Sequence, residues 1–597
     1  MYSDDNQDFF ENKQPKVSSE NNDQDYTNSH NEHIYEDTKR IINKALLDGA
    51  LGCINFDSAA RDNKTSSALV SAERMKYFRR DVYVSVYDKE QNIEFLGRIV
   101  EGPFHMPHEV SLDSAITRTT VLHPDRTNFR PSYFVHGVIE VLGQLADSKR
   151  LVPSLTRPRP YSEISIFPPD RLSGFLNIEG NMFFGHLTGY DKERIPVKAD
   201  SENKNFLPRN VGIFGTVGSG KSNTTQVLIE EAIQAGWAVV VIDVEGEYVR
   251  MNQANDREDM KQILSEQFSL TSKGISNFQV YVPSSGESDA ENSKHFKVPI
   301  SQLDPSIIGD ILEFSEPQYR MFETLVSYVK QNKDNQKQGN LGALVENRNL
   351  MPTEVTYTLQ DLIDVLGYDE KRLKDNLKLK SNEITSAFTL RKKLINFGRS
   401  GMLDWNQNKG IGYINANDLL ISERLSVLDV SETDDRSRNI AIAYILQTLF
   451  DAVITTPINE VLPGTRNRKR PKVLVVIEEV HTFVSRQSAS KMRAVLDNLQ
   501  MISRRGRKRW MSLALVSQQP GHVPDELFEL ANTRFIHQLK STSNLAPVKQ
   551  TTGGVHEALW TSVPALGPGQ CLLTGSVFKN PIFVNLRPAA SKRLHTD

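Results

Sequence analysis

A glycine-rich segment near the middle of the chain has the residue types and spacing of a phosphate-binding loop. Residues 215–222 (GTVGSGKS) match the pattern G-x-x-x-x-G-K-[ST] at every specified position. The apolar run Val211–Phe214 precedes this segment and apolar residues at helical spacing follow it, which predicts a strand, a loop and a helix. In that context the loop N–H groups and the helix N-terminus face phosphate oxygens. A glycine-rich turn without a ligand is the alternative, and the flanks disfavour it.

The motif therefore predicts binding of a nucleoside triphosphate. Lys221 would reach the β- and γ-phosphates, and the hydroxyl of Ser222 would coordinate Mg²⁺. We expect ATP to be held by Gly215, Val217, Gly218, Ser219, Gly220, Lys221, Ser222 and Asn223.

Carboxylates at strand ends could supply what hydrolysis needs opposite the phosphates. The apolar run Val473–Ile477 is followed by Glu478 and Glu479. One carboxylate can hold Mg²⁺, for which we take Glu478, and the next can orient and deprotonate the attacking water. A solvated acidic pair that caps the strand is the alternative. Asp243 ends the run Ala238–Asp243, where it would either face the same crevice or cap a helix.

Polar residues also flank the apolar segment at 512–517. Gln518 follows this segment, and its amide could sense the γ-phosphate or the attacking water, or be a solvated surface group.

The basic run 504–509 (RRGRKR) precedes the same apolar segment. It could be an arginine finger for a neighbouring subunit, a DNA phosphate contact or a solvated face. A second basic loop at 466–472 could contact nucleic acid or a partner, or be solvated. Trp510 is the only aromatic residue adjoining either run, which favours contact with the DNA backbone over base stacking.

The elements that must position these residues alternate between strands and helices after residue 206. The strand candidates are residues 211–214, 238–243, 427–430, 473–477 and 512–517. Continuous apolar strands are typical of a parallel sheet covered on both faces, so we predict an α/β fold. Helical patterns between about 290 and 424 are too long for one crossover and predict a helical insertion.

The remaining chain divides by composition. Residues 1–34 are acidic and polar with few aliphatic side chains, which predicts a disordered tail. Residues 35–80 are expected to form a helical lead-in, and residues 81–205 a small β-barrel of short strands and turns. Residues 206–597 are expected to form the α/β core.

Composition excludes several classes of protein. The 597 residues carry 71 Lys and Arg against 74 Asp and Glu, so the net charge is −3 and nucleic-acid contact must come from local patches. Two cysteines support neither a disulfide framework nor a zinc cluster. No apolar run approaches the ~20 residues of a transmembrane helix, so we expect a soluble, cytoplasmic protein that does not contact the membrane.

Seven segments in order resemble the HerA family of hexameric DNA translocases, which is related to FtsK. They are 185–192 (GHLTGYDK), 207–215 (LPRNVGIFG), 243–248 (DVEGEY), 477–483 (IEEVHTF), 503–508 (SRRGRK), 516–520 (VSQQP) and 566–575 (LGPGQCLLTG). The resemblance covers about residues 80–590 and implies an N-terminal β-barrel, a RecA-like P-loop ATPase core and a helical insertion. Glu479 is similar to the family's catalytic glutamate beside Glu478, and Asp243 to an acidic active-site residue.

The resemblance also implies roles for arginines. Arg209 is similar to a cis arginine near the nucleotide. Arg504 is similar to an arginine finger supplied in trans, and Arg507 is the second candidate. Arg505 departs from the family pattern, in which glutamate is common at this position. Which arginine of the run acts on the nucleotide therefore stays open.

The function that the resemblance implies is that of a homohexameric ATPase that uses ATP and Mg²⁺ to pump double-stranded DNA through a central pore. Such motors work with an effector protein, either a nuclease in DNA processing or a sirtuin-like NADase in antiphage defence. We expect the effector to dock on the N-terminal barrel. The alternative is an ATP-dependent scaffold or switch that activates the effector with little DNA translocation. A third interpretation is a nucleotide-binding protein without turnover.

Overall fold

The computed structural model describes residues 49–56, 64–107, 114–123, 133–147, 150–339, 357–405, 410–487 and 492–594. The chain forms two compact units, Met1–Phe167 and Pro168–Asp597. The predicted tail and the part of the predicted lead-in before residue 49 lie outside the described residues. Within those ranges, no helix is long and apolar enough to cross a membrane.

The first unit is a small closed β-barrel. Its strands are β1 (Gly52–Ile54), β2 (Thr65–Val70), β3 (Tyr83–Asp88), β4 (Ile93–Pro107), β5 (Tyr133–Asp147), β6 (Arg150–Val152) and β7 (Glu163–Ile166). They pair in the order β2-β1-β7-β3-β4-β5, and a further pairing of β2 with β5 closes the barrel. Strand β6 extends β5 alone. Helix α1 (Ala115–Leu122) lies between β4 and β5 in the chain.

The barrel boundaries differ from the predicted range of 81–205. Strands β1 and β2 already belong to the barrel, although residues 35–80 were expected to be helical. Strand β1 has three residues and β2 begins with three polar ones, so neither shows a clear alternation over a useful length. The unit also ends earlier than predicted, at Phe167.

The second unit is built around one sheet of twelve strands. They are β8 (Met182–Leu187), β9 (Pro196–Ala199), β10 (Val211–Phe214), β11 (Ala238–Asp243), β12 (Phe278–Pro283), β13 (Ser293–Phe296), β14 (Leu425–Asp429), β15 (Val473–Ile477), β16 (Met511–Ser517), β17 (Thr533–Ile536), β18 (Gln570–Thr574) and β19 (Ile582–Leu586). Their order in the sheet is β13-β12-β14-β11-β15-β16-β10-β17-β18-β19-β8-β9.

Helices connect these strands. They are α2 (Pro169–Leu176), α3 (Lys221–Gln234), α4 (Glu258–Phe268), α5 (Pro305–Ile311), α6 (Glu316–Gly339), α7 (Leu359–Leu366), α8 (Glu370–Leu377), α9 (Ile384–Gly398), α10 (Ala416–Leu419), α11 (Asp435–Thr455), α12 (Val480–Phe483), α13 (Arg493–Gly506), α14 (Asp525–Leu530), α15 (Thr542–Thr551) and α16 (Glu557–Trp560).

The centre of the sheet is parallel and fully buried. Strands β11, β15 and β16 are buried at every residue, as expected for strands covered on both faces. From β13 to β17 every neighbouring pair is parallel, so the carboxyl ends of these strands share one edge. The predicted α/β fold with an N-terminal β-barrel is confirmed.

Two other boundaries also need correction. Strands β8 and β9 lie within the range predicted for the barrel, but β8 pairs with β19 and so belongs to the large sheet. The insertion was expected from about 290, whereas β13 pairs with β12 and remains part of that sheet. The described helices of the insertion, α5 to α10, lie between β13 and β14. The first error arises because β8 pairs with a strand nearly 400 residues away, and the second because β13 has only four residues, of which one is apolar.

Candidate active site

The phosphate loop connects β10 directly to α3. Gly220 forms the N-cap of α3 with φ of 99°, and Gly218 has φ of 75°, so both lie in the left-handed region that favours glycine. A Cβ on Gly220 would lie 2.8 Å from the backbone nitrogen of Gly569. Val217 at the tip of the loop is 80% exposed. The loop therefore needs glycine both for its conformation and for the close approach of a second segment.

Residues that follow β17 and precede β18 form hydrogen bonds with the phosphate loop and support it. The Ser219 carbonyl accepts a hydrogen bond from the N–H of Gly569 (3.1 Å), and the hydroxyl of Thr216 donates to the Gln538 carbonyl (3.0 Å). His537 is fully buried, and its Nε2 lies 2.8 Å from the hydroxyl of Thr224. Burial lowers the pKa of His537 to about 4, so its ring is neutral at pH 7.

Asn223 and Ser222 occupy different surroundings in the first turn of α3. The Asn223 amide donates to the Arg587 carbonyl (2.8 Å) and its oxygen accepts from the N–H of Ala589 (2.8 Å), so this side chain ties α3 to the C-terminal segment. Arg587 in turn forms ion pairs with Glu230 and Glu231 on the same helix. Ser222 is half-buried beside Lys221, where a hydroxyl can reach a metal.

Glu479 is paired with the lysine of the phosphate loop. Its Oε1 contacts Lys221 Nζ, and its Oε2 accepts hydrogen bonds from His481 Nδ1 (3.0 Å) and the backbone N–H of Gln518 (3.1 Å). Burial raises the pKa of Glu479, but the hydrogen bond from His481 and the charge of Lys221 outweigh it and lower the pKa to about 2. Glu479 has φ of 42° and ψ of 50°, a left-handed conformation that costs about 1 kcal/mol or more in a non-glycine residue. Strain of this kind is common at functional sites.

Glu478 points into a fully buried acidic cluster. Its Oε1 accepts a hydrogen bond from the hydroxyl of Tyr248 (2.8 Å), and its carboxylate lies beside that of Asp243. Asp243 accepts N–H bonds from Gly246, Glu247 and Tyr248. Burial is the largest cause that raises the pKa of both Glu478 and Asp243. The charge of Asp243 raises the pKa of Glu478 further, and the charge of Asp429 raises the pKa of Asp243.

The residues present fit Mg²⁺. Glu478 Oε2 is buried and receives no N–H or O–H donor from the described residues. One carboxylate oxygen each from Glu245, Glu247 and Glu478 lie within 4.8 Å of one another. Hard oxygen ligands of this kind suit Mg²⁺, which is held by one or two carboxylates, waters and substrate phosphates. With Ser222 they would hold the ion, which would neutralise charge on the phosphates.

The order of strands explains why Gln518 reaches Glu479. Strand β16 lies between β10, which leads into the phosphate loop, and β15, which leads into the acid pair. The end of β16 is therefore flanked by both. Besides its backbone contact with Glu479, Gln518 places its amide 3.5 Å from Glu245. Gln518 is thus half-buried beside Glu479 and Glu245.

The three arginines lie at the opposite edge of the sheet. Arg209 ends a short 3₁₀ helix before the start of β10, and Arg504 and Arg507 lie at the end of α13, before the start of β16. All three line one cavity of about 960 Å³. The expectation that Arg209 lies near the nucleotide of its own chain is wrong, because β10 separates it from the phosphate loop.

The second basic loop is largely occupied by structural contacts. Arg470 is fully buried, and its guanidinium donates to the carbonyls of Pro471 and Arg509. Arg468 donates to the Asn417 carbonyl (2.8 Å). These two side chains therefore secure the loop, and we assign them no nucleic-acid contact.

Comparison with known proteins agrees with this geometry. The family model described as the central domain of helicase HerA matches residues 182–449. A DNA double-strand break repair helicase HerA of Sulfurisphaera tokodaii is 23% identical over 433 residues, which cover 70% of this chain and 72% of that protein. The protein of the same description in Sulfolobus acidocaldarius is 21% identical over 531 residues, with coverage of 88% and 91%. Over most of its length the chain is similar to HerA-family P-loop ATPases.

Several residues of the site could not be predicted from the sequence. Tyr248 and His481 stand inside two of the segments that resemble the family, but nothing in the sequence says that they contact the acid pair. Asp429 ends an apolar strand next to β11, as Asp243 does, and that position was a usable signal. His537 and Gly569 lie more than 300 residues after the loop they support, and no local pattern marks them.

The arrangement of these residues suits ATP hydrolysis. The loop and Lys221 can bind the phosphates, the buried acids can hold the metal, and Glu479 is the carboxylate placed nearest to the lysine. In the structure, Lys221 is occupied by Glu479, so nucleotide phosphates must take over this lysine when they bind. The enzyme is an ATP hydrolase.

Proposed function

We propose that this chain is one subunit of a homohexameric ring that hydrolyses ATP between subunits and moves along double-stranded DNA. Glu479 acts as the general base, Glu478 and Ser222 hold Mg²⁺, and arginines from the next subunit stabilise the γ-phosphate. The observation that carries the proposal is the placement of Lys221 and Arg504 at opposite edges of one sheet. One chain therefore carries the phosphate loop of one ATP site and the arginines of another.

The separation is too large for a single chain to complete its own site. Strand β16 runs for seven residues between the arginine run and Gln518. At about 3.3 Å per residue it spans roughly 23 Å, far beyond the reach of an arginine side chain. Arg504 and Arg507 reach a nucleotide only when another subunit presents it. Head-to-tail contacts of this kind close into a ring when the rotation between subunits allows it.

The arginine cavity suits an anion. The Arg504 side chain is exposed and makes no hydrogen bond or ion pair within the described residues, and the buried Nε of Arg209 has no acceptor among them. Unpaired guanidinium groups on one cavity favour binding of a phosphate, which accepts several N–H bonds at once. Glu526 and Glu529 line the same cavity and partly balance its charge. We therefore propose that Arg209, like Arg504 and Arg507, acts on the nucleotide of a neighbouring subunit.

Double-stranded DNA is the proposed track because the matching relatives are named DNA double-strand break repair helicases. A chain of net charge −3 attracts DNA only through local basic groups. We expect double-stranded DNA to raise the ATPase rate of the isolated protein, and added salt to reduce that stimulation. An ATPase rate that DNA leaves unchanged at low salt would exclude the motor function.

The alternative function is an ATP-dependent scaffold or switch that activates an effector, either a nuclease or a sirtuin-like NADase in antiphage defence. One observation favours an effector on the barrel: several large apolar side chains of that unit are exposed. They are Phe56, Phe104, Tyr133, Tyr161 and Leu155. In this case ATP hydrolysis rises only when the effector is bound, which the same ATPase assay distinguishes from stimulation by DNA alone.

Mixed rings test whether the site is shared between subunits. Lys221→Ala is expected to abolish nucleotide binding while keeping its arginines, and Arg504→Ala to bind nucleotide but not turn it over. Neither variant is active alone. When the two variants are co-expressed in equal amounts, some interfaces combine the intact phosphate loop of an Arg504→Ala subunit with the Arg504 of a Lys221→Ala subunit. If interfaces act independently, about a quarter of the wild-type ATPase rate returns.

The control is a mixture of Lys221→Ala with the double variant Lys221→Ala/Arg504→Ala, which cannot form a complete site. Recovery in the first mixture and none in the control supports a site completed in trans. No recovery in either mixture, with rings confirmed by mass measurement, would overturn the trans assignment. Wild-type turnover by Arg504→Ala alone would do the same.

A further inference from the structure

The carboxylate of Glu479 is held by donors from three segments of the chain. Lys221 in the phosphate loop contacts Oε1. His481 Nδ1 and the backbone N–H of Gln518 contact Oε2 at 3.0 and 3.1 Å. Glu479 is only 2% exposed, so these contacts occupy both oxygens of a buried group.

Only one of these contacts has to change when nucleotide binds. The lysine of a phosphate loop moves to the β- and γ-phosphates, which frees Oε1 of Glu479. Oε2 keeps its two donors, because neither His481 nor the Gln518 backbone is part of the phosphate loop. The freed oxygen is then available to the attacking water, while the other oxygen fixes where the carboxylate points.

The ring of His481 is itself oriented by the end of β16. A carboxylate can only accept, so the His481 nitrogen that contacts it, Nδ1, carries the proton. The same Nδ1 lies 3.2 Å from the hydroxyl oxygen of Ser517, and that oxygen accepts the N–H of Gln519 (3.1 Å). His481 thus joins Glu479 to the strand end that lies between the phosphate loop and the acid pair.

Local backbone structure gives Glu479 little other support. Helix α12 after it has four residues, and Glu479 itself adopts a left-handed conformation. The Lys221 contact is lost on nucleotide binding and the Gln518 contact comes from the backbone. His481 is the remaining side-chain contact to Glu479 within the described residues.

We propose that His481 is a positioning residue for hydrolysis: its Nδ1–H holds Oε2 of Glu479 while Lys221 moves to the nucleotide, so that Oε1 faces the attacking water. This inference rests on the role of Glu479 as general base proposed above. General-base catalysis contributes about 10²–10⁴ in rate, and it depends on the base lying within hydrogen-bond reach of the water.

The test compares two substitutions of nearly equal size. His481→Asn keeps an N–H donor close to the position of Nδ1, whereas His481→Leu has none. For the full-length protein, kcat and KM for ATP are measured, together with the Kd of a non-hydrolysable ATP analogue. His522→Ala is the matched control, because the centroid of the His522 ring lies 6.3 Å from that of His481 and, within the described residues, no hydrogen bond or ion pair joins His522 to Glu479.

We expect His481→Leu to lower kcat by about ten- to a hundredfold with the Kd of the analogue unchanged within about twofold. His481→Asn should retain kcat within about threefold of wild type, and His522→Ala within about twofold. Equal losses in the Asn and Leu variants, or wild-type kcat in His481→Leu, would overturn the proposal. A parallel loss of binding and turnover in His481→Leu would show a merely structural role.

Glu479→Gln separates this inference from the function on which it rests. Substantial ATPase activity in Glu479→Gln refutes the general-base assignment itself, whatever the His481 variants do. An inactive Glu479→Gln together with a fully active His481→Leu refutes only the positioning role.

Discussion

The buried ion pair between Lys221 and Glu479 predicts that the usual phosphate-loop substitution weakens the protein as well as its binding of nucleotide. Their side chains are 4% and 3% exposed. Lys221→Met removes the positive partner and leaves a buried carboxylate with only His481 and the Gln518 N–H. Breaking one side of a buried pair costs about 3–5 kcal/mol when no other group compensates.

The pKa of Glu479 gives an independent magnitude. Its fall from the usual 4.5 to about 2 corresponds to about 3 kcal/mol of stability at neutral pH. This total includes the contribution of His481, so we expect Lys221→Met to lower the free energy of unfolding by about 2–3 kcal/mol. A carboxyl with a lowered pKa stabilises the folded state above its unfolded pKa of 4.5. That contribution is lost progressively as the pH falls from 4.5 through about 2.

The assay is urea unfolding without nucleotide, followed by tryptophan fluorescence at pH 7. All four tryptophans belong to the second unit, so the signal reports the ATPase core: Trp237, Trp405, Trp510 and Trp560. The double variant Lys221→Met/Glu479→Gln carries neither charge. We expect it to recover to within about 1 kcal/mol of wild type.

Two results would refute this reasoning. A Lys221→Met variant that is as stable as wild type would show that the ion pair contributes nothing to the free energy of unfolding in solution. A double variant no more stable than Lys221→Met would show that the loss does not come from an uncompensated carboxylate. The stability difference between wild type and Glu479→Gln should also be constant above about pH 5 and shrink towards pH 2.

Two further predictions concern the supports of the phosphate loop. Gly220→Ala places a Cβ 2.8 Å from the Gly569 nitrogen, so we expect nucleotide affinity to fall by tenfold or more, measured by titration with a fluorescent ATP analogue. Gly218→Ala, which meets nothing within 4 Å, is the control and should lose less. Arg587→Met leaves the buried Glu231 and the largely buried Glu230 without their cation and should cost about 3–5 kcal/mol in the urea assay. Lys592→Met removes an ion pair with the exposed Asp256 and should cost under about 1 kcal/mol.

Most of the parallel sheet could be predicted from the sequence because its strands are continuous apolar runs. Strands β10, β11 and β15 match their predicted bounds, and β16 begins one residue earlier than expected. The barrel edges and strands β8 and β9 could not be predicted. Their short, partly polar segments acquire a place only by pairing with distant strands, and pairing leaves no local period in sequence.

The sequence by itself determined the chemistry at Gly215–Ser222 and at the acid pair. A phosphate loop needs its glycines, lysine and hydroxyl in consecutive positions, and carboxylates that follow apolar strands must emerge at one edge of a parallel sheet. Only the tertiary structure decided which residues meet there. It inserted β16 between the two motifs, which brings Gln518 to Glu479, and it placed Arg209 and Arg504 at the far edge. The physical reason is that strand order is set by contacts between residues hundreds of positions apart, whereas a motif records only the neighbours in its own segment.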